Sequence, residues 1–473
     1  MSFFQRSDES LKHTRPPDWR EYQRRLQRQR RPRRRIRPLR IRPLWVAGLL
    51  LLVAAVVGGS LFQGKPSAPV ARHDAPAPPR PTLPDRVDKT VAQALIKPSD
   101  LLNLSSAQFT VEGDGQPLVV ETTLDMDLQR SLVEALDTRT ARSIAVVAVD
   151  PATGRILAMA GYARDGQNGN PCLDNRFPAA SLFKIVTAAA AVQEANLNGA
   201  SPVHFNGGRY TLYRSQIKEN VTRHTTTIPL QDAFAGSVNP VFGKLGALRL
   251  GMDALNRWAE AFGFNQTIPF EAPLEPSHFE ASADAYHLAE LASGFNRKTT
   301  VSPLHAALIA AAAVNTGRLY EPSAVARIVD AAGRVRYESQ PRLLGTPMEE
   351  RTAAEIAAMM EASVRKGTCR KPFLGSARHP VLQHLTIGGK SGSIDNQDHS
   401  ARIDWFAGWA TEKQGDGEIA VAAVVAHEKY IGTRAGAYVR HVVTDYFGRL
   451  FAARKAEAAA LGRAGGQNGG GRG

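Results

Sequence analysis

Residues 143–159 read Ser-Ile-Ala-Val-Val-Ala-Val-Asp-Pro-Ala-Thr-Gly-Arg-Ile-Leu-Ala-Met. Two apolar runs, Ser143 to Val149 and Arg155 to Met159, flank Asp150, Pro151 and Gly154, residues that close a tight turn, and this predicts a β-hairpin. Toward the carboxyl end, Leu385 to Gly389, Ile403 to Ala410 and Ile419 to Ala426 read as three successive strands, followed by a helix from Ala437 to Ala453. Between these groups lie Ala- and Leu-rich segments at helical spacing: Ser181 to Ala195, Ala247 to Phe262, Pro303 to Val314 and Thr352 to Val364. The third is well punctuated, with Ser302 to cap it, Pro303 in its first turn and Gly317 just beyond its end. Strands at both ends with helices between predict an α+β domain in which distant segments share one sheet.

The chain has 473 residues, 43% hydrophobic and 22% charged, which is enough for two or three domains and too apolar for a wholly disordered chain. Its formal net charge is +15, yet residues 1–43 hold 15 Lys and Arg against 4 Asp and Glu. The excess therefore sits in one terminal arm, which argues against reading the whole protein as a basic nucleic-acid binder; the arm itself either sets topology against acidic headgroups or binds nucleic acid or anionic lipid, with Trp19 and Tyr22 able to stack on bases. Trp45 to Phe62 is free of charge for 18 residues and, as a helix, nearly matches a bilayer's hydrocarbon core. Arg33, Arg34, Arg35, Arg37, Arg40 and Arg42 precede it, so the positive-inside rule puts the amino terminus in the cytoplasm. A cleaved signal peptide is the competing reading, because Gly58, Gly59 and Ser60 are small. The resulting division is a basic arm (1–43), a transmembrane anchor (44–62), a Pro-rich extracytoplasmic linker (63–110), one large domain (111–455) and a Gly-rich disordered tail (456–473).

Two cysteines exclude a disulfide-dense scaffold and an all-thiolate zinc site. Outside the membrane Cys172 and Cys369 either bond to each other or stay as buried thiols, and their spacing does not decide which. The 12 histidines, His305 and His427 among them, show no ligand spacing, so neither metal nor cofactor is expected.

Three short motifs bear on chemistry. Ser181-Leu182-Phe183-Lys184 opens an apolar helix. Either Ser181 caps that helix and Lys184 points to solvent, or the two share a helix face and the amine serves as base to the hydroxyl. The second use requires a lysine desolvated or placed beside positive charge, since a free lysine is protonated at neutral pH. Ser237-Val238-Asn239, between Gly236 and Pro240, is either a turn or a loop offering a hydroxyl for proton relay and an amide for a peptide. Lys390-Ser391-Gly392-Ser393 follows the apolar Leu385-Thr386-Ile387. It is not a phosphate-binding loop, because His384 stands where that motif's first glycine belongs. A strand ending in a cation, a hydroxyl and a glycine suits a carboxylate and an approaching peptide.

In this order, Ser181/Lys184, Ser237/Asn239 and Lys390/Ser391/Gly392 resemble the transpeptidase domain of penicillin-binding proteins, in a monofunctional, class B-like form without a large pedestal. The similarity takes in Asp150 to Met159, Gly367-Thr368 and Asp404 to Gly408, and spans approximately residues 110 to 455. It implies a β-lactamase-like fold with a central antiparallel sheet flanked by helices. It also implies Ser181 as the acylated nucleophile, Lys184 as its base and Ser237 as proton relay. Asn239 would bind the donor peptide, Lys390 and Ser391 its terminal carboxylate, and the N–H groups of Ser181 and Ser393 the oxyanion. The reaction would be cross-linking of peptidoglycan stem peptides, inhibited by β-lactams, in an enzyme of the inner membrane facing the periplasm. Ser391 departs mildly from the threonine more common in the family. The linker leaves no room for a glycosyltransferase domain, so a separate glycan polymerase or other cell-wall synthesis protein is the partner implied. Rival readings are a D,D-carboxypeptidase, a β-lactamase of the same fold and a noncatalytic penicillin-binding sensor or scaffold.

Overall fold

The computed structural model describes residues 86–166 and 169–467. The basic arm, the apolar span and residues 63–85 of the linker lie outside the described residues. Among those described, no helix is long and apolar enough to cross a membrane.

In chain order, helix α1 (Lys89–Leu95) leads to strands β1 (Gln108–Gly113) and β2 (Gln116–Thr122), helix α2 (Met126–Glu134) and the hairpin β3 (Ala141–Val149) and β4 (Ile156–Ala163). Helix α3 (Lys184–Gln193) follows, then β5 (Pro202–Phe205), β6 (Thr226–Pro229), α4 (Leu230–Ala235), α5 (Asn239–Lys244), α6 (Gly251–Ala261), α7 (Ala285–Ser293) and α8 (Pro303–Ala312). The chain continues through β7 (Leu319–Tyr320), β8 (Val325–Asp330), β9 (Val335–Glu338), β10 (Leu343–Gly345) and α9 (Glu350–Lys366). Last come the long strands β11 (Leu385–Asp395), β12 (Arg402–Glu412) and β13 (Glu418–His427), and helix α10 (Ala435–Gln467).

The expected hairpin is β3–β4, and it joins the three carboxyl-terminal strands in one antiparallel sheet of order β11-β12-β13-β3-β4. Distant segments meet directly: Val149 of β3 pairs with Ala420 of β13. Both faces are buried. In β3, Ala145, Val147 and Val149 enter one core, while Ile144, Val146 and Ala148 enter the other. This two-sided burial is why the strand is apolar throughout instead of alternating. Helix α8 packs on the first face, against β3, β12 and β13. Helices α2 and α10 supply Leu128, Leu132, Tyr438, Val442 and Phe447 to the second. The turn is set by Asp150, whose Oδ1 accepts from Ala152 N–H (2.9 Å) and whose Oδ2 accepts from the Thr153 hydroxyl (2.8 Å).

Two boundaries differ from the sequence reading. Ordered chain begins well before residue 111: Asp88 caps α1 by accepting from Val91 N–H, and Val87, Ala92, Ile96 and Leu101 are buried. At the other end, α10 runs to Gln467 rather than stopping near 455, as its Ala-rich, glycine-poor stretch from 451 to 461 favours. A second antiparallel sheet, of order β1-β2-β8-β9, was not anticipated. Helix α8 matches its punctuation: the Ser302 hydroxyl accepts from His305 N–H (3.1 Å), Pro303 is its first residue, and Gly317 has φ +83°.

The open question on the cysteines resolves to free, buried thiols. Cys172 belongs to the core on one face of the central sheet and Cys369 to the core on the other, so the sheet separates them. The Cys172 thiol donates to Ala160 C=O (3.3 Å), and burial pushes its pKa up to about 12.

Candidate active site

Ser181 lies in a single 3-10 turn, Ala180–Phe183, that packs on β11 and β12 and precedes α3. Its side chain makes no cap bond to the helix, and Lys184 is fully buried, which excludes the capping alternative. Three oxygens surround Lys184 Nζ: Ser181 Oγ at 2.8 Å, Asn239 Oδ1 at 2.8 Å and the Ser293 carbonyl at 2.5 Å. The Phe242 ring lies 5.6 Å away.

Burial holds the Lys184 pKa well below its usual value, and the charge of Lys390 lowers it further. A neutral amine has two N–H donors and one lone pair. The Ser293 carbonyl can only accept, and so can Asn239 Oδ1, whose orientation is fixed because Asn239 Nδ2 donates to Tyr210 C=O (3.0 Å). In the neutral form both donors are therefore spent, and the lone pair faces the Ser181 hydroxyl. This is the arrangement a general base needs.

Ser237 and Asn239 form the opposite wall. Helix α4 ends as Val238 N–H bonds to Ala233 C=O (2.9 Å), leaving Ser237 in the left-handed region at φ +53°. Ala180, directly before Ser181, is likewise at φ +49°. A side-chain-bearing residue there costs of order 1–3 kcal/mol, so the backbone is strained beside both hydroxyls. The turn reading of Ser237-Val238-Asn239 is thus correct locally, and the turn is what aims the hydroxyl.

The third wall is β11, an edge strand of the central sheet. Lys390 is fully buried; its Nζ donates to Ser237 Oγ (3.0 Å) and to Ser391 C=O (2.9 Å), and lies 5.7 Å from the Phe234 ring. Burial brings its pKa down to about 8, so it remains mainly a cation at neutral pH, and that charge adds to the burial that holds the Lys184 pKa well below its usual value. A Cβ on Gly392 would meet the Ala180 Cβ at 3.2 Å and Ser181 N at 3.4 Å, which measures how closely β11 approaches the serine turn. Ser393 is exposed, one residue further along the strand. The structure thus brings Ser181, Lys184, Ser237, Asn239, Lys390, Ser391 and Gly392 into one site, with Ser393 at its margin.

Two contributors carry no motif of their own. One is the Ser293 carbonyl, a backbone group. The other is Thr368, whose hydroxyl accepts from Ser391 Oγ (2.6 Å) and whose N–H bonds to Ala235 C=O (3.0 Å). Its signal was the Gly367-Thr368 pair after α9, where Gly367 is required because a Cβ would sit 2.2 Å from the Ala235 carbonyl oxygen. Among the described residues no group of three or more His, Cys, Asp or Glu side chains could hold a metal ion. His305 is buried between Ser277 and the Phe262 carbonyl, with its pKa lowered by burial to about 4.

Comparison with known proteins bears on the family and the fold. The family model described as penicillin binding protein transpeptidase domain matches residues 144–445. Stage V sporulation protein D of Bacillus subtilis is 26% identical over 302 residues, covering 60% of this chain and 45% of its own length. Peptidoglycan D,D-transpeptidase PbpA of Mycolicibacterium smegmatis is 25% identical over 356 residues, covering 67% and 69%. The chain spans less than half the length of the first of these relatives. Among solved structures, the D,D-transpeptidase domain of a peptidoglycan glycosyltransferase from Eggerthella lenta aligns with a TM-score of 0.57 at 24% identity, covering 70% of this chain and 83% of that one. Penicillin-binding protein 3 of Mycobacterium tuberculosis, complexed with ampicillin, aligns at 0.59 and 19%, covering 70% and 78%. At these identities the structural likeness concerns the fold.

Proposed function

We propose that this chain, which belongs to the penicillin-binding protein transpeptidase family, is a serine D,D-transpeptidase that cross-links peptidoglycan stem peptides through an acyl-enzyme on Ser181. One observation carries the reading: buried Lys184 Nζ stands 2.8 Å from Ser181 Oγ and 2.8 and 2.5 Å from two oxygens that can only accept, so in its neutral form the lone pair is directed at the Ser181 hydroxyl.

Ser181 Oγ attacks the carbonyl of the D-Ala-D-Ala amide while its proton passes to Lys184 Nζ. The developing oxyanion is received by the N–H groups of Ser181 and Ser393. Ser237 accepts from Lys390, so its own O–H is free to protonate the departing amine while it takes up the proton held by Lys184, and D-Ala leaves as the C–N bond breaks. Lys390 and Ser391 hold the terminal carboxylate. Asn239 steadies Lys184 through Oδ1, and the second N–H of Nδ2 is available to the donor backbone. An amine from a neighbouring strand then resolves the ester. β-Lactams acylate the same serine because they present the same carboxylate and a strained amide. The 44–62 segment anchors the enzyme in the inner membrane, with the domain in the periplasm beside a separate glycan polymerase; the uncharged run and the six arginines before it support this topology.

The test is labelling with a fluorescent penicillin and peptide mapping of wild type and Ser181→Ala, followed by product analysis on a stem-peptide substrate. Label on the peptide bearing Ser181, its loss in the variant, and cross-linked product are expected. Persistent labelling of Ser181→Ala overturns the assignment of the nucleophile, and release of D-Ala with water as the sole acceptor makes the enzyme a carboxypeptidase.

A further inference from the structure

The segment from 206 to 217 is fixed on the inside and bare on the outside. Gln216 is 5% exposed and pins it: Nε2 donates to the carbonyls of Asn206 (2.7 Å) and Gly208 (3.3 Å), while Oε1 accepts from Tyr213 N–H (2.9 Å). Leu212 and Ile217 pack with Ala289 in a small apolar cluster, and the Tyr286 hydroxyl donates to Leu212 C=O (2.8 Å). The segment also abuts the proposed catalytic wall directly. Asn239 N–H donates to Arg209 C=O (2.7 Å), and Asn239 Nδ2 donates to Tyr210 C=O.

Against this anchoring, the outward side chains face solvent. Tyr210 is 62% exposed. Arg209 is exposed too, and its side chain has no hydrogen-bond or ion-pair partner among the described residues. Its Nη1 stands 3.5 Å from where a Cβ on Gly236 would be, so the guanidinium lies over the corner that leads to Ser237. Two neighbouring cations are paired: Arg214 with Asp284 (3.8 Å), lying also over the Tyr286 ring, and Lys244 with Glu219 (3.7 Å). Asp232, four residues before Gly236, is paired with Lys366. A planar five-donor cation held against a rigid turn, beside an exposed aromatic ring, is equipped to grip a carboxylate in two-point fashion.

We infer that Arg209, with Tyr210 beside it, forms a subsite for a carboxylate of the stem peptide other than the terminal one held by Lys390 and Ser391. The enzyme then favours stem peptides whose internal carboxylates are free over peptides in which they are amidated. This rests on the transpeptidase reading and deepens it, since it selects among substrates of the same site.

The experiment uses the full chain, as wild type, R209Q and R209K, with two D-Ala-D-Ala-ended peptides, one with free internal carboxylates and one with them amidated, and with penicillin. The expected result is a wild-type preference in kcat/KM for the free-acid peptide that falls about three- to tenfold in R209Q and is only partly kept in R209K, which retains the charge but not the two-point fork. A preference absent from wild type or untouched in R209Q overturns the inference. So does a loss in R209Q as large for penicillin as for the free-acid peptide, because that places Arg209 on the terminal carboxylate. Failure of penicillin to acylate the wild type would instead remove the transpeptidase reading itself.

Discussion

Gly294 lies so close to Ala180 that a Cβ on the glycine would stand 1.8 Å from the Ala180 carbonyl oxygen and 3.0 Å from Ser181 N. Gly294 ends α7 with φ +64°, and this is what lets the last turn of α7 press its Ser293 carbonyl onto Lys184 Nζ. A single residue without a side chain therefore sets both the strained peptide before the proposed nucleophile and one acceptor of the proposed base.

Gly294→Ala should accordingly damage the site without touching any reacting group. The methyl must push away backbone, and alanine is strained at this φ in addition. A displacement of about 1 Å at Ser181 is enough for a loss on the order of 100-fold in the acylation rate by penicillin. Stopped-flow labelling alongside thermal unfolding checks this; a rate within threefold of wild type would mean that the Ala180–Ser181 peptide tolerates repositioning.

Lys184→Met separates activity from stability. Acylation should fall by about 10²- to 10⁴-fold with the base gone. Stability should rise at neutral pH, since the native state must keep a buried amine neutral while the unfolded chain protonates it. The folded pKa lies below 10.5, so the unfolded state binds more protons in the window between the two values, and wild-type stability climbs with pH across that window. The variant lacks this climb, and its advantage should shrink as pH approaches 10.5. Denaturant titrations at several pH values would show it; an advantage that grows with pH contradicts a neutral buried Lys184.

How much of this was legible follows from what each group displays in sequence. The central sheet was readable because both its faces are buried, giving long apolar runs closed by Asp150, Pro151 and Gly154. The sheet β1-β2-β8-β9 was not, because its strands are short and each buries at most three residues, such as Leu118 and Val120 in β2. Helix α1 was hidden by the prolines before it, although Val87, Ala92, Ile96 and Leu101 anchor it. In the site, motif side chains could be named in advance. The Ser293 carbonyl could not, since every residue has one, and the Asn239–Lys184 bond needed coordinates. The extra 3-10 turn before α3 likewise follows from packing on β11, which no local pattern encodes.

The two lysines predict a bell-shaped pH profile of acylation. The acid limb reports Lys184 losing its proton, and the alkaline limb, near pH 8, reports Lys390 losing the charge that holds the carboxylate. Because Lys390 is one cause of the depressed Lys184 pKa, Lys390→Gln should abolish the alkaline limb and move the acid limb to higher pH. Rate measurements with penicillin across pH decide it, and an acid limb that stays in place or moves down removes the coupling.

Thr368 joins two walls of the site: its N–H holds Ala235 C=O, two residues before Ser237, and its hydroxyl accepts from Ser391. Without that acceptor, the Ser391 hydroxyl turns freely and loses the orientation proposed for the substrate carboxylate. Thr368→Val keeps the shape and the backbone bond and removes only the acceptor, at about 1 kcal/mol, or roughly fivefold. Since the carboxylate is held in the ground state and the transition state alike, the loss should appear mainly in KM for a D-Ala-D-Ala peptide, with kcat little changed. Thr368→Ser restores the hydroxyl and should recover most of the KM. A merely structural role would instead leave both variants equally impaired, or shift kcat and unfolding midpoint together, and either result would detach Thr368 from substrate positioning.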